Sequence, residues 1–185
     1  MATSSPPPTP WTAFKAMSFD IYGTLIDWQD GIINAALATR LGPHLPTDRK
    51  ELYEGLRAAD RAVEREMPHL RKPEINAEAP KRYAAELGVL ANSDLTREDV
   101  EEAGKAYGGA IGSFPAFPDT VRTHHPPIPS HTSTHPHPRQ NDAIARLSKH
   151  YTLLPLSNID NATLNTTLST ALGPCRASFP TAYSK

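Results

Sequence analysis

Two short apolar segments, each ending in polar residues, constrain the fold of this chain more than any other feature. The first runs from Phe14 to Tyr22 and leads into a Gly-Thr pair, which is typical of a buried strand and its exit turn. The second is YTLLPLSN, which begins at Tyr151 and predicts another buried strand. A long helical stretch separates the two strands, and a helix follows the second. This order predicts an α/β fold with a Rossmann-like parallel sheet and a helical lobe inserted after the first strand.

Apolar residues recur at helical spacing in several segments. Thr47 is the predicted N-cap of the second helical segment, which Met67-Pro68 ends. Thr96 and Asp99 have the spacing of a capping box at the start of the fourth. The four segments between the strands are DGIINAALATRLG, LPTDRKELYEGLRAADRAVEREM, NAEAPKRYAAELGV and LTREDVEEAGKAYGGAIGSF. Helices are also predicted for NDAIARLSKH and DNATLNTTLSTALG, and the start of a further strand for ASFPTAY.

Shifts of composition along the chain predict its domain organisation. Residues 1–12 are rich in Pro, Ser and Thr and are expected to form a disordered tail. Residues 13–28 and 141–185 are expected to form the α/β core, and residues 29–118 a helical cap. Residues 121–140 are rich in His and Pro and have almost no large apolar side chain, so we expect a disordered insertion there.

The overall composition excludes several classes of function. The net charge is −1 and the basic residues are scattered, so binding to nucleic acid or to an anionic membrane is not expected. No apolar run approaches the roughly 20 residues of a membrane span, and MATSSPPPTP lacks the features of a secretory signal. The single cysteine, Cys175, fits a reducing compartment. We therefore expect a cytoplasmic protein that acts on a small molecule.

Polar side chains follow both predicted strands. The first strand ends at Asp20 and the second at Ser157 and Asn158. Ligands of open parallel sheets bind just beyond the carboxyl ends of the strands, so these side chains are predicted to face one crevice. A carboxylate there can act as a nucleophile, while a hydroxyl and an amide orient it or hold a substrate. The alternative is that Asp20 caps a turn and that the other two are ordinary strand-exit residues.

The stretch FDIYGTLID from Phe19, a helical insertion and then LPLSN ending at Asn158 resemble the haloacid dehalogenase superfamily, in particular its L-2-haloacid dehalogenase branch. The resemblance runs from about Phe14 to Tyr183, without the His/Pro-rich stretch. It implies a hydrolase in which Asp20 attacks the carbon that bears the halogen and forms an ester. Water then attacks the carboxyl carbon of that ester and releases a 2-hydroxy acid. The resemblance implies no metal and no other cofactor.

The residue two positions after Asp20 distinguishes this reaction from the phosphatase chemistry of the same superfamily. The phosphatases have a second aspartate there, because an alkoxide leaving group must be protonated. Halide leaves without a proton, so no acid is needed. The position holds Tyr22, which favours displacement at carbon and disfavours a phosphatase-like hydrolase.

Matched residue by residue, the resemblance implies roles for four further side chains. Tyr22 would line the halide and substrate side, and Thr24 would hydrogen-bond near Asp20. Ser157 and Asn158 would position carboxylates.

The substrate-binding arginine of the family follows an aromatic residue on the first part of the lobe. Here Tyr53 is followed by Glu54, and Arg57 lies one helical turn further on, where it could reach the same face. Arg57 is therefore the candidate for substrate binding. The alternative is an ordinary solvated charge on the helix.

The sequence departs from the family at its end. Family members continue to a lysine in a Tyr-Lys-Pro context and to a later acidic cluster, whereas Lys185 is the last residue here. A core that is incomplete at its C-terminus should expose apolar surface and a sheet edge, and that edge would favour a homodimer. The alternative to the enzyme is an inactive pseudoenzyme that serves as a binding module.

The His/Pro-rich stretch allows three interpretations. A dense set of histidines could hold zinc or nickel weakly, or the stretch could be a plain surface loop. The third interpretation is a retained intron, because removing residues 121–140 joins FPAFPDT directly to NDAIARLSKH at the length that the family uses. The histidines concerned are His124, His125, His131, His135 and His137.

Overall fold

The computed structural model describes residues 10–120 and 140–179. Their sheet has two parallel strands, β1 (Ala16–Asp20) and β2 (Thr152–Leu156). The register sets Asp20 opposite Leu156, so the carboxyl ends of both strands lie side by side. The predicted α/β class and both predicted strands are confirmed, although β1 is shorter than the apolar run that predicted it.

Helices make up most of the remaining described chain. Six lie between the strands in the chain, namely five inserted after β1 and one just before β2, and one follows β2. In chain order they are α1 (Trp28–Leu37), α2 (Arg49–Glu66), α3 (Lys72–Glu86), α4 (Val89–Asn92), α5 (Arg97–Gly109), α6 (Gln140–Leu147) and α7 (Asn161–Ser169).

Side-chain caps fix the starts of α1, α2, α5 and α7. The predicted capping box of α5 is confirmed, because the Asp99 amide donates to Thr96 Oγ1 at 3.1 Å and the Thr96 amide donates to Asp99 Oδ2 at 2.8 Å. The prediction of Thr47 as the cap of α2 is wrong. Asp48 is the cap, since its Oδ1 accepts a hydrogen bond from the Glu51 amide at 2.8 Å. Both residue types cap helices well, and the helix begins one residue later than predicted.

Two predicted boundaries differ from the structure. Helix α3 begins at Lys72, well before the predicted NAEAP segment, because Pro73 fits the first turn of a helix and Glu74 Oε2 accepts a hydrogen bond from the Arg71 amide at 2.8 Å. The chain from Gly173 to Ser178 is a 3-10 helix, so no strand begins at Ala177 as the sequence suggested.

The helices between the strands share one apolar core. Leu52, Leu56 and Val63 lie on one face of α2 at helical spacing and are almost fully buried. Helix α3 packs against both α2 and α5. The approach of α5 is close, because a Cβ added to Gly104 would lie only 2.5 Å from the Ala77 carbonyl oxygen. The inserted helices thus form a packed layer rather than a string of separate segments.

A short antiparallel connection joins this helical layer to the sheet. The Asp27 amide donates to the Pro115 carbonyl at 2.8 Å, and the Phe117 amide donates to the Leu25 carbonyl at 3.0 Å. Ile26 and Ala116 form a bridge between these two hydrogen bonds. The chain that leaves β1 and the chain that returns from α5 are therefore paired, which fixes the first turn after Asp20.

The two faces of the sheet differ in burial. Phe19 packs against Phe179 with ring centroids 5.8 Å apart, and Leu153 is buried on the same face. On the other face, Asp20 is exposed and its neighbour Leu156 is 59% exposed.

Several predictions concern segments outside the described residues. They are most of the disordered tail, nearly all of the 121–140 insertion with its five histidines, and the last residues up to Lys185. Within the described ranges, no helix has both the length and the apolar character needed to cross a membrane.

Candidate active site at the carboxyl ends of the strands

Asp20 is the last residue of β1, and its side chain is exposed. A tight turn follows it, in which the Leu25 amide donates to the Ile21 carbonyl at 2.8 Å. Gly23 has a φ of +95°, which the turn requires and which other residues rarely adopt. Across residues 10–120 and 140–179, no side chain donates a hydrogen bond to the Asp20 carboxylate or forms an ion pair with it. Among the described residues, the carboxylate therefore takes no part in holding the turn.

Ser157 and Asn158 directly follow Leu156, the residue that pairs with Asp20. Neighbouring strands lie about 4.8 Å apart, so the serine comes just after the strand that pairs with β1. Ser157 Oγ accepts a hydrogen bond from the Ile159 amide at 3.4 Å, which shapes the turn after β2. Asn158 is exposed. The structure thus brings these polar side chains to the same edge as Asp20.

Asp160 completes this turn and was not among the residues predicted for the site. Its Oδ1 accepts from the Thr163 amide at 3.0 Å and its Oδ2 accepts from the Thr163 hydroxyl at 2.7 Å, so it caps α7. Partial burial raises the pKa of Asp160, but these hydrogen bonds outweigh it and leave the pKa below its usual range. The signal in the sequence is an aspartate three residues before a threonine at the start of a helix.

Tyr22 points its hydroxyl group at helix α7. The phenolic oxygen lies 2.6 Å from Oγ1 of Thr167, which is fully buried. Burial raises the pKa of Tyr22, and the nearby Asp160 carboxylate adds to that rise, while the hydrogen bond to Thr167 lowers it. The side chain is therefore a neutral hydrogen-bonding group at this edge of the sheet, and it ties the turn after β1 to the helix after β2.

Thr24 lies in the tight turn and is exposed. Its amide donates to the Ile21 carbonyl at 3.3 Å. Its hydroxyl has no hydrogen bond to any other described residue, including Asp20.

Arg57 lies on α2 and is held from two sides. Its Nη1 donates to Oδ2 of Asp60, and its Cζ lies 4.9 Å from the centre of the Trp28 ring. Only 24% of its side chain is exposed, so it is not an ordinary solvated charge. The Trp28 indole in turn lies against Gly23, since a Cβ added there would be 3.3 Å from Nε1. Arg57 is thereby connected to the turn that follows Asp20.

A buried carboxylate behind Arg57 was also missed by the sequence analysis. Asp60 is 3% exposed and accepts hydrogen bonds from Lys72 Nζ at 3.2 Å to each of its oxygens. The signal in the sequence is a charged residue on the apolar stripe of α2 between Leu56 and Val63.

The described residues contain no group of three His, Cys, Asp or Glu side chains that could hold a metal ion. A depression of about 500 Å³ lies at the other end of the sheet and does not include Asp20. It is lined by Lys15, by residues 148–153 and by residues 177–179.

The solved structures to which this chain is similar include dehalogenases. The chain is similar to a dehalogenase crystal structure with a TM-score of 0.57 and 16% identity, over 91% of this chain and 61% of the other. It is also similar to the L-2-haloacid dehalogenase of Xanthobacter autotrophicus, with a TM-score of 0.51 and 16% identity, over 90% and 54%. A further structure of the Xanthobacter enzyme, with chloropropionic acid covalently bound, matches with a TM-score of 0.51 and 15% identity over the same shares.

The chain thus spans between half and two thirds of the length of these structures. No protein-family model and no curated protein matches the chain. At this identity the likeness concerns the fold, which is an α/β core with inserted helices of the kind seen in L-2-haloacid dehalogenases.

Proposed function

We propose that this chain is a hydrolase of the haloacid dehalogenase type, in which Asp20 displaces halide from a small 2-haloacid. The observation that carries the proposal is the exposed Asp20 carboxylate, which has no partner among the described residues and lies at the strand edge next to Ser157. A carboxylate that serves only to cap a turn would accept backbone hydrogen bonds, as Asp160 does.

The reaction takes place in two steps. An oxygen of the Asp20 carboxylate attacks the carbon that bears the halogen, so that a carbon–oxygen bond forms while the carbon–halogen bond breaks and halide leaves with the electron pair. Water then adds to the carboxyl carbon of the resulting ester, and the bond from that carbon to the alkoxy oxygen breaks. The products are a 2-hydroxy acid, halide and one proton, and the Asp20 carboxylate is restored.

The side chains around Asp20 suit this reaction. Tyr22 provides no proton to a leaving group, because its hydroxyl is engaged with Thr167 and its pKa is raised. Halide needs no proton, whereas the alkoxide released from a phosphate ester does. The geometry therefore favours displacement at carbon over phosphatase-like hydrolysis. Thr24, Ser157 and Asn158 are proposed to orient carboxylates through hydrogen bonds.

The proposed substrate class follows from Arg57 and from the fold neighbours. A half-buried guanidinium group is suited to the carboxylate of a small acid. One neighbouring structure holds chloropropionic acid in covalent linkage. We therefore propose 2-chloropropionate as the first substrate to test.

The experiment is halide release from 2-chloropropionate, compared between the wild-type chain and Asp20→Asn. We expect release by the wild type and its loss in the variant. A single turnover in ¹⁸O-labelled water should place the label in the peptide that contains Asp20, since water attacks the carboxyl carbon. Label found in the product instead would rule out the ester intermediate.

A binding module is the second candidate. The observation that favours it is that no described lysine or arginine pairs with Asp20, so the site lacks a cation beside the proposed nucleophile. The expected behaviour is a folded protein that binds small carboxylates and releases no halide.

A further inference from the structure

We propose that Asp60 is a positioning residue that holds Arg57 in place to bind the carboxylate group of the substrate. The inference rests on the proposed function for the identity of that substrate. It concerns the inserted helices rather than the strand edge, and it accounts for a buried charge that the reaction itself does not use.

The Asp60 carboxylate is shared between two cations. It accepts a hydrogen bond from Arg57 Nη1 and two from Lys72 Nζ, each at 3.2 Å. Lys72 also donates to Glu64 Oε1 at 2.6 Å. Because Lys72 compensates much of the negative charge of Asp60, Arg57 keeps part of its positive charge available to a ligand.

The Arg57 guanidinium is also restrained on its flat side. It lies over the Trp28 ring at 4.9 Å, and Trp28 is also in ring contact with Tyr53, with centroids 5.8 Å apart. A guanidinium between a buried carboxylate and an aromatic face has lost most of its rotamer freedom, so binding to it costs little further entropy.

Arg57 has donors left for a ligand. A guanidinium has five N–H groups in a planar fork, and the hydrogen bond to Asp60 is the one that Arg57 makes within the described part of the chain. The free edge of such a fork matches the two oxygens of a carboxylate. Trp28 lies against Gly23, three residues after Asp20, so the arginine is joined to the turn that bears the proposed nucleophile. Asp60 thereby contributes to selectivity for acids over uncharged haloalkanes.

A purely structural role for the pair makes a different prediction. Arg57 and Asp60 are three residues apart on one helix, and such pairs stabilise helices by a few tenths of a kcal/mol. In that case, replacing Asp60 would lower the melting temperature without changing the affinity for carboxylates.

The experiment uses Trp28 as a reporter of Arg57. Trp11→Phe leaves Trp28 as the single tryptophan of the chain, and its emission is expected to change when an anion binds to the guanidinium above it. The probe is propionate, which contains no halogen and cannot react, and propionamide is its uncharged counterpart. Asp60→Asn is expected to weaken propionate binding about tenfold, because the carboxylate no longer holds the Arg57 guanidinium in position. Propionamide is expected to produce no change.

Two further variants keep the experiment decisive. Glu64→Gln removes a contact of Lys72 but none of Arg57, so propionate binding should stay within about twofold. Asp60→Glu retains the charge and moves the carboxylate by one methylene, so it reports on position if Asp60→Asn does not fold. Circular dichroism establishes folding for each.

The outcomes separate this inference from the proposed function. Propionate binding that depends on Asp60 in a protein without halide release supports the inference and refutes the dehalogenase activity. Halide release with unchanged propionate affinity in the folded Asp60 variants refutes the inference and leaves the activity in place. A wild-type protein whose Trp28 emission does not respond to propionate also overturns the inference.

Discussion

The Tyr22 hydroxyl lies 2.6 Å from Thr167 Oγ1 and joins residues that are 145 positions apart. Either hydroxyl can donate in this contact, and the Thr167 hydroxyl also lies 3.2 Å from the Thr163 carbonyl oxygen. This pair is one link between the turn that carries Asp20 and the helix that follows Ser157. Tyr22, which we propose to favour displacement at carbon over phosphate chemistry, thus also has a structural role.

We expect Tyr22→Phe to lower the free energy of unfolding by about 1 kcal/mol, because a part-buried hydrogen bond is lost while the ring still packs. Urea unfolding measures this change. Tyr53→Phe is the matched control, since its hydroxyl makes no hydrogen bond to another described residue and its ring contact with Trp28 remains. Equal midpoints for Tyr22→Phe and the wild type would show that the contact contributes nothing.

Gly23→Ala tests the turn after Asp20. The φ of +95° is unfavourable for alanine, so stability should fall by about 1–2 kcal/mol, and the altered turn should also reduce halide release. Gly88→Ala is the control, because Gly88 also has a positive φ, of +67°, but lies between α3 and α4. Its loss of stability should leave the activity of the folded fraction unchanged. Equal loss of activity in both variants would argue against a specific role of the turn.

Gly112→Ala tests the junction between the inserted helices and α7. An added Cβ would lie 2.7 Å from the Cβ of Thr166, and the Gly112 carbonyl accepts a hydrogen bond from Thr170 Oγ1 at 2.9 Å. We expect the free energy of unfolding to fall by about 1–3 kcal/mol, because the two packed segments cannot move apart without losing contacts. Thermal and urea unfolding measure this change. Gly109→Ala has no atom within 4 Å of the new Cβ and lies at the end of α5, so it should be neutral or slightly stabilising. Tolerance of both alanines would show that the junction is looser than the structure indicates.

The sequence was sufficient to predict features that depend on residues close together in the chain. The capping box of Thr96 and Asp99 involves residues three positions apart, and a single helical turn determines it. The start of α2 was misplaced because Thr47 and Asp48 are adjacent and both suit a cap, so only the backbone geometry selects between them. The order of the two strands and the longer helices was predicted correctly because apolar periodicity is read over many residues, whereas the short helix α4 and the 3-10 helix from Gly173 to Ser178 were not predicted.

Features that depend on contacts between separate helices could not be predicted from the sequence. The Lys72–Asp60 contact joins two helices, and the stacking of Arg57 on Trp28 joins α2 to α1. Neither has a local signal, and Arg57 alone could not be told from a surface charge. The α/β fold and the strand-edge cluster could thus be predicted from the sequence, whereas the setting of the candidate substrate arginine required the structure.

Replacing leucine by alanine is expected to lower the free energy of unfolding by different amounts on the two faces of the sheet. Leu153 is 1% exposed, and Leu153→Ala should cost about 2–5 kcal/mol in urea unfolding. Leu156 is 59% exposed beside Asp20, and Leu156→Ala should change stability by less than about 0.5 kcal/mol. Sedimentation of the Leu156 variant gives a second readout, because an exposed leucine on an open sheet face favours self-association. A large loss of stability in Leu156→Ala would mean that this face is covered.

Asp160 predicts a specific dependence of stability on pH. Its pKa is lowered in the folded chain by the hydrogen bonds that cap α7, despite the opposing effect of burial. A group with a lowered folded pKa stabilises the fold fully above its unfolded pKa, near 3.9, and loses that contribution as the pH falls through the folded value. Asp160→Ala should therefore cost about 1 kcal/mol at pH 7, and the difference from the wild type should shrink below about pH 4. Asp160→Asn keeps a capping oxygen without the charge, so its difference from alanine should not vary with pH. Urea unfolding of the three proteins at pH 7 and pH 3 measures both differences. If the difference in stability between wild type and Asp160→Ala is the same at both pH values, the charge of Asp160 does not contribute to the cap.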